Sequence, residues 1–253
     1  MDIPVFITAS VLAVAGFAVV SVAVVLNRHS ALSGAGPRVG TLVGAGLAAW
    51  LVLTAALASV GAYRPASAEA IPPVGAVLIA GLVGLALAVT ASPRLRRTLA
   101  SPAMQASLLG LQVWRIEGAV FLILLGLGQL PALFAAPAGV GDLLIGITAP
   151  WMARNVFARG SGSSAAGRRG LAVAWNLFGL ADLALAVFLG TTTNPGRLWL
   201  FVTAPTSEAM AGFPMAIIPT FLVPLSIGLH LVSLRYLVSG RPWSAAVPAV
   251  AHS

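Results

Sequence analysis

Seven apolar stretches, each long enough to cross a bilayer as a helix, leave this chain little choice of architecture. About 20 helical residues span the hydrocarbon core, and such stretches lie near 3–26, 39–62, 72–92, 106–130, 139–157, 170–191 and 214–238. The expected fold is all-α: a polytopic helical bundle forming one transmembrane domain over residues 1–241. The Pro/Ala-rich residues 242–253 read as a flexible cytoplasmic tail. A soluble alternative fails on charge. Only 8% of residues are charged and 59% are hydrophobic, where a soluble domain carries roughly 25% charge. The first stretch reads as a span rather than a cleaved signal, because Asp2 precedes it, no basic n-region is present and Arg28 follows.

Arginine sets the orientation. Cytoplasmic loops carry the excess of basic residues. With the N-terminus outside, Arg28, Arg38, Arg94, Arg96, Arg97, Arg154, Arg159, Arg168, Arg169, Arg235 and Arg241 fall on the cytoplasmic side. Arg64 and Arg197 fall outside, and Arg115 lies within the fourth span. The reverse orientation would invert this asymmetry. The C-terminus is therefore expected in the cytoplasm, and the chain in a plasma membrane of the bacterial inner-membrane type. Its expected partners are the bilayer and the anionic lipids of the cytoplasmic face. The net charge of +8 does not point to nucleic acid, because the arginines form short clusters between apolar runs and no basic stripe with interleaved aromatics occurs.

Two absences close off chemistry. Without cysteine there is no disulfide, thiolate metal site or cysteine nucleophile. All 14 basic residues are arginine, so a lysine Schiff base to retinal or pyridoxal and a Walker-A loop are both excluded. A haem held by two histidines would require a partner for His230, and His29 and His252 lie in a loop and the tail. No cofactor can be named, and no metal site is expected.

Glu117, Asp142 and Asp182 fall inside the expected spans, together with Arg115, Asn176 and His230. An ionisable group at the bilayer centre costs about 2.5–3.5 kcal/mol on insertion scales, so it faces the bundle interior or water and is a functional candidate by default. Arg115 and Glu117, two residues apart, point to nearly opposite helix faces, and Arg115 shares its face with Gln112. On the sixth span, Ala172, Trp175, Gly179 and Asp182 form one stripe, with Asn176 off to its side. On the seventh, Ser226, His230 and Ser233 share a face beneath Pro219 and Pro224, which are expected to kink the helix. Counting from span ends puts Glu117 and Asp182 near mid-membrane and His230 and Asn176 toward the cytoplasm. The expected cluster is Arg115 or Glu117 with Asp182, Asn176 and His230. Asp142 is expected apart from it near the outer surface, a first-turn acid after a break at Pro137–Gly139.

Three further patterns concern packing and layout. Gly36, Gly40, Gly44 and Ala48 recur every fourth residue, a small-residue seam suited to close helix approach or to homo-oligomer formation. Residues 159–170 read as a flexible linker between five spans and two. Residues 191–213, with Trp199, Leu200 and Phe201, are expected to lie on the membrane or fold back over the bundle. The echo between Gly139-Val-Gly-Asp142-Leu143 and Gly179-Leu-Ala-Asp182-Leu183 is weak evidence of a repeat. The reading best served by these residues is a small-solute or ion transporter, with Glu117, Asp182 and His230 taking protons and Arg115 tuning them. The alternatives are a non-catalytic membrane subunit or sensor, and a membrane-embedded enzyme or cofactor protein acting on an apolar molecule.

Overall fold

A computed structural model describes residues 3–32, 38–67, 70–156 and 165–239. They form an all-α bundle with no strand among the described residues, and seven helical segments are long and apolar enough to cross a membrane. In chain order these are α1 (Val5–Leu32), α2 (Val39–Ser59), α3 (Val74–Ala91), a short α4 (Pro93–Leu99), then α5 (Pro102–Leu111), whose span continues through a 3₁₀ segment (Gln112–Gly118) into α6 (Ala119–Gly126). There follow α7 (Ala132–Asn155), α8 (Ala165–Thr192), and a π-helical turn (Ile218–Leu222) that opens α9 (Val223–Val238).

The spans are buried unequally. In the fourth and seventh, 61% of the most apolar window is buried inside the bundle, against 22% for α2 and 6% for α3. The fourth and seventh spans therefore form the centre, with α7 and α8 against them and α1 to α3 on the flank. Large apolar side chains such as Leu42, Val52, Ile79, Leu87, Ile147 and Phe188 stay exposed. Such a surface would aggregate in water and needs no further burial in lipid.

Local chemistry explains the joins. Between α1 and α2 the Asn27 side-chain carbonyl accepts from the backbone N–H of Gly40 (2.9 Å) and Thr41 (3.2 Å), capping the first turn of α2. Arg38 enters that helix at φ 83°, in the left-handed region. Gly40 and Gly44 face Ala23 of α1, so the small-residue seam is used within the chain; Gly36 lies outside the described residues. Ser92 caps α4, accepting from Leu95 N–H at 3.2 Å, with Pro93 in the first turn. Residues 165–170, expected in a linker, are already helical in α8, while the rest of that linker and the tail lie outside the described residues. The segment after α8 does fold back. Phe201 N–H donates to the Thr192 carbonyl (3.0 Å) and Ser207 N–H to the Thr193 carbonyl (3.2 Å), while Leu200 and Val202 stay exposed.

The fifth span, α7, departs most from expectation. It begins at Ala132 and runs through Pro137, rather than opening after it. A proline deletes one hydrogen bond, and inside a bundle its neighbours tolerate the gap. This shifts the depth of everything that follows. Asp142 lies ten residues in from Ala132, and Asp182 ten residues back from Thr192 at the same end of the bundle. Each is about 15 Å from that end of its helix at 1.5 Å per residue, half the thickness of a hydrocarbon core of about 30 Å.

Candidate functional site

The centre of the fourth span is not α-helical. Gln112-Val-Trp-Arg-Ile-Glu-Gly118 winds as a 3₁₀ helix, an unusually long run for a form that rarely exceeds four residues and often marks strain or a hinge. Its bulky Val113, Trp114 and Ile116 are weak helix formers, and the segment presses against α7 where a glycine allows it. A Cβ on Gly146 would stand 2.9 Å from the Arg115 carbonyl carbon. Residues three apart eclipse in this winding, so Gln112 and Arg115 both face α9. Gln112 Nε2 donates to the Ser226 carbonyl at 3.1 Å, and Trp114 Nε1 to Ser226 Oγ at 2.9 Å.

Arg115 is the hub. Its Nε donates to Asp142 Oδ1 at 2.6 Å, and one terminal nitrogen donates to Asp182 Oδ2. The other reaches the Gly179 carbonyl (3.3 Å) and His230 Nε2 (3.1 Å). Arginine can only donate, so His230 Nε2 accepts and the proton sits on Nδ1. That proton is directed at Asn176 Oδ1, 2.9 Å away. The Asn176 amide then donates to the Ala172 carbonyl (2.8 Å) and toward Ser233 Oγ (3.4 Å). One guanidinium thus fixes a histidine tautomer and, through it, an amide orientation. Trp175 closes the cluster with its ring centroid 5.4 Å from that of His230. All six polar side chains, from Arg115 to Ser233, are buried.

Two glycines make room for it. A Cβ on Gly141 would overlap the Asp182 carboxylate, and one on Gly179 would stand 3.1 Å from Arg115 Nη1. The charge balance is uneven: with both acids ionised, two carboxylates face one guanidinium and the cluster carries one excess negative charge.

Glu117 belongs to a different surface. It faces α1, where Ser10 Oγ donates to its Oε2 at 2.9 Å, and its buried Oε1 has no hydrogen-bond partner among the described residues. Glu117, Arg115, Asp142 and Ser226 line one cavity of about 20 Å³, enough for one water. A second cavity of about 140 Å³ lies between the ends of α3, α7 and α8 away from the arginine-rich side. Its wall is largely apolar, with Phe121, Phe134, Leu183 and Val223, and it too reaches Asp142.

The expected cluster of Arg115 with Asp182, Asn176 and His230 is assembled, and Ser226, His230 and Ser233 share the inward face of α9. One expectation is corrected. Asp142 is neither a first-turn acid nor near the outer surface; it is buried in the third turn and paired with Arg115. Glu117 stands on the far side of the 3₁₀ segment, as its two-residue spacing from Arg115 predicts, and it is Arg115 that joins the cluster. Asp142 and Asp182, the acids of the two echoed segments, meet the same guanidinium. Sequence reading missed Ser10, one of four hydroxyls on a largely apolar helix, with nothing to single it out. It also missed Trp114, and the role of Gly141 as the space beside Asp182.

Residues 71–238, about two thirds of the chain, match the family described as Domain of unknown function (DUF8737). The chain belongs to this family. No curated protein and no solved structure matches it. The DUF8737 segment runs from just before α3 to the end of α9, and contains Arg115, Glu117, Asp142, Asn176, Asp182 and His230. Ser10 and helices α1 and α2 lie outside it.

Proposed function

We propose that this protein is a proton-coupled transporter of a small, largely apolar solute, set in the plasma membrane with its arginine-rich end in the cytoplasm. One observation carries the reading: the apolar cavity ends on Asp142, a member of a mid-membrane cluster with one more acid than cation. A proton or cation arriving there removes the excess charge, so occupancy and the Arg115 contacts are linked. The water-sized cavity joins Asp142 to Glu117, the carboxyl without a cation partner, which is positioned to exchange the proton. On the other side His230, Asn176 and Ser233 extend the polar line toward the arginine-rich end. Arg115 stands in the middle on a 3₁₀ segment, and rewinding that segment would swing it away from one acid. Long-range charge pairs in the low-dielectric core make such a rearrangement sensitive to a single proton.

The test is proton flux in proteoliposomes holding a pH-sensitive dye, with acid and a panel of small apolar solutes added outside. The parent protein acidifies the lumen faster than protein-free vesicles with at least one solute, and Glu117→Gln abolishes the effect. Parent and protein-free vesicles behaving alike across the panel would sink the proposal. A purely structural role as a membrane subunit has one observation in its favour, the tight seating of Gly141 and Gly179 against the cluster. That reading predicts a partner of fixed stoichiometry on purification from mild detergent.

A further inference from the structure

A large cavity lies away from the charged cluster. It is a groove of about 1740 Å³ between α2 and α3, well above the roughly 300–1,000 Å³ of a small-molecule site. Trp50 crosses its floor, resting against Gly81 of α3 and edge-on to Phe221 at 5.1 Å. The walls are apolar: Leu42, Gly46 and Leu53 from α2, and Gly84 and Leu85 from α3. Neither Gly46 nor Gly84 has any atom within 4 Å of where a Cβ would stand. Helix α3 buries only Leu78 and Gly81 against the protein, so the groove is open along its length.

One end of this groove is charged. Arg38, Arg94 and Arg97 line it beside Ser92; the three are exposed and pair with no described acid. The described residues at this end, 27–32, 92–103, 155–156 and 236–239, contain no Asp or Glu. Another molecule can supply the countercharge. A long apolar trough closed at one end by three uncompensated guanidiniums matches an amphiphile with a phosphate head.

We infer that this groove holds one anionic membrane lipid, its phosphate at Arg38, Arg94 and Arg97 and its acyl chains between α2 and α3. The lipid would complete a flank that the protein leaves unfilled and tie α3 to α1 and α2. The assignment stands independently of the transport reading.

The full chain is purified in mild detergent, and its melting temperature and lipid retention by native mass spectrometry are followed with phosphatidylglycerol, phosphatidylcholine or inorganic phosphate. Phosphatidylglycerol is retained and raises the melting temperature; the other two do so far less. Each basic residue near an anionic lipid is worth roughly a factor of five, so R38Q/R94Q/R97Q together weaken phosphatidylglycerol binding about a hundredfold. R96Q changes binding little, since Arg96 donates to the Thr90 carbonyl at 2.7 Å and lies off the groove. Gly46→Leu with Gly84→Leu partly fills the trough from both walls and sharply lowers retention, with the lipid-free melting temperature unchanged. Equal effects of the two lipids, equal protection by phosphate alone, or full binding to the filled variant would each overturn the assignment. So would a dimer of the parent that the filled variant loses, which would make a second copy the occupant.

Discussion

Arg115→Met removes the hub while keeping similar bulk. The guanidinium supplies hydrogen bonds to Asp142, Asp182, the Gly179 carbonyl and His230. In its absence two carboxyl groups meet at mid-membrane with no cation. Breaking a buried ion pair from one side costs about 3–5 kcal/mol. In a protein of this size 1 kcal/mol moves the melting temperature by about 2–4 °C, so a fall of roughly 6–20 °C is expected. The rescue is more telling than the loss. Replacing a whole buried ion cluster by neutral groups is often near neutral in stability, so Arg115→Met with Asp142→Asn and Asp182→Asn should recover most of the fall. The assay is a fluorescence-detected melt in one mild detergent at one pH, with monodispersity checked first. If Arg115→Met melts with the parent, or the triple variant melts no higher than the single, the charge reasoning is wrong.

Gly141→Ala drives a methyl into the Asp182 carboxylate and should cost about 1–3 kcal/mol by overpacking; a double-mutant cycle with Asp182→Ala should recover most of it, and additive losses would place the strain elsewhere. Ser10→Ala removes the hydroxyl that donates to Glu117 and should lower stability by about 1–3 kcal/mol; in a Glu117→Leu background the same change should read close to zero in the melt. Gly16→Ala and Gly40→Ala should differ in sign. Each gains up to about 1 kcal/mol of helix propensity, but Gly16 has open space and Gly40 abuts the Ala23 carbonyl. A stabilised Gly40→Ala would mean that α1 and α2 do not meet there.

What could be read from sequence, and what could not, divides along a physical line. The spans follow from hydropathy, a property summed over about 20 residues, so an error at one position does little harm. The partners of Arg115 depend on depth and winding, which one misplaced helix start can upset. Pro137-Ala-Gly139 has the composition of a break, and in water it would serve as one. In the bundle the helix continues through it, because unfolding a turn in hydrocarbon would leave several backbone groups unpaired instead of one. That single change carries Asp142 from the surface to the centre, where it becomes a second acid on a guanidinium already claimed by Asp182. The 3₁₀ winding of 112–118 is another non-local result. Seven residues of an apolar span read as α-helix by pattern, and only the glycine contacts with α7 reveal why they tighten. The separation of Arg115 from Glu117 survives this error, because two residues differ by about 200° in an α-helix and 240° in a 3₁₀ helix. Angular relations within a span are thus robust to the winding, whereas the choice of which acids reach Arg115 is made by the neighbouring helices.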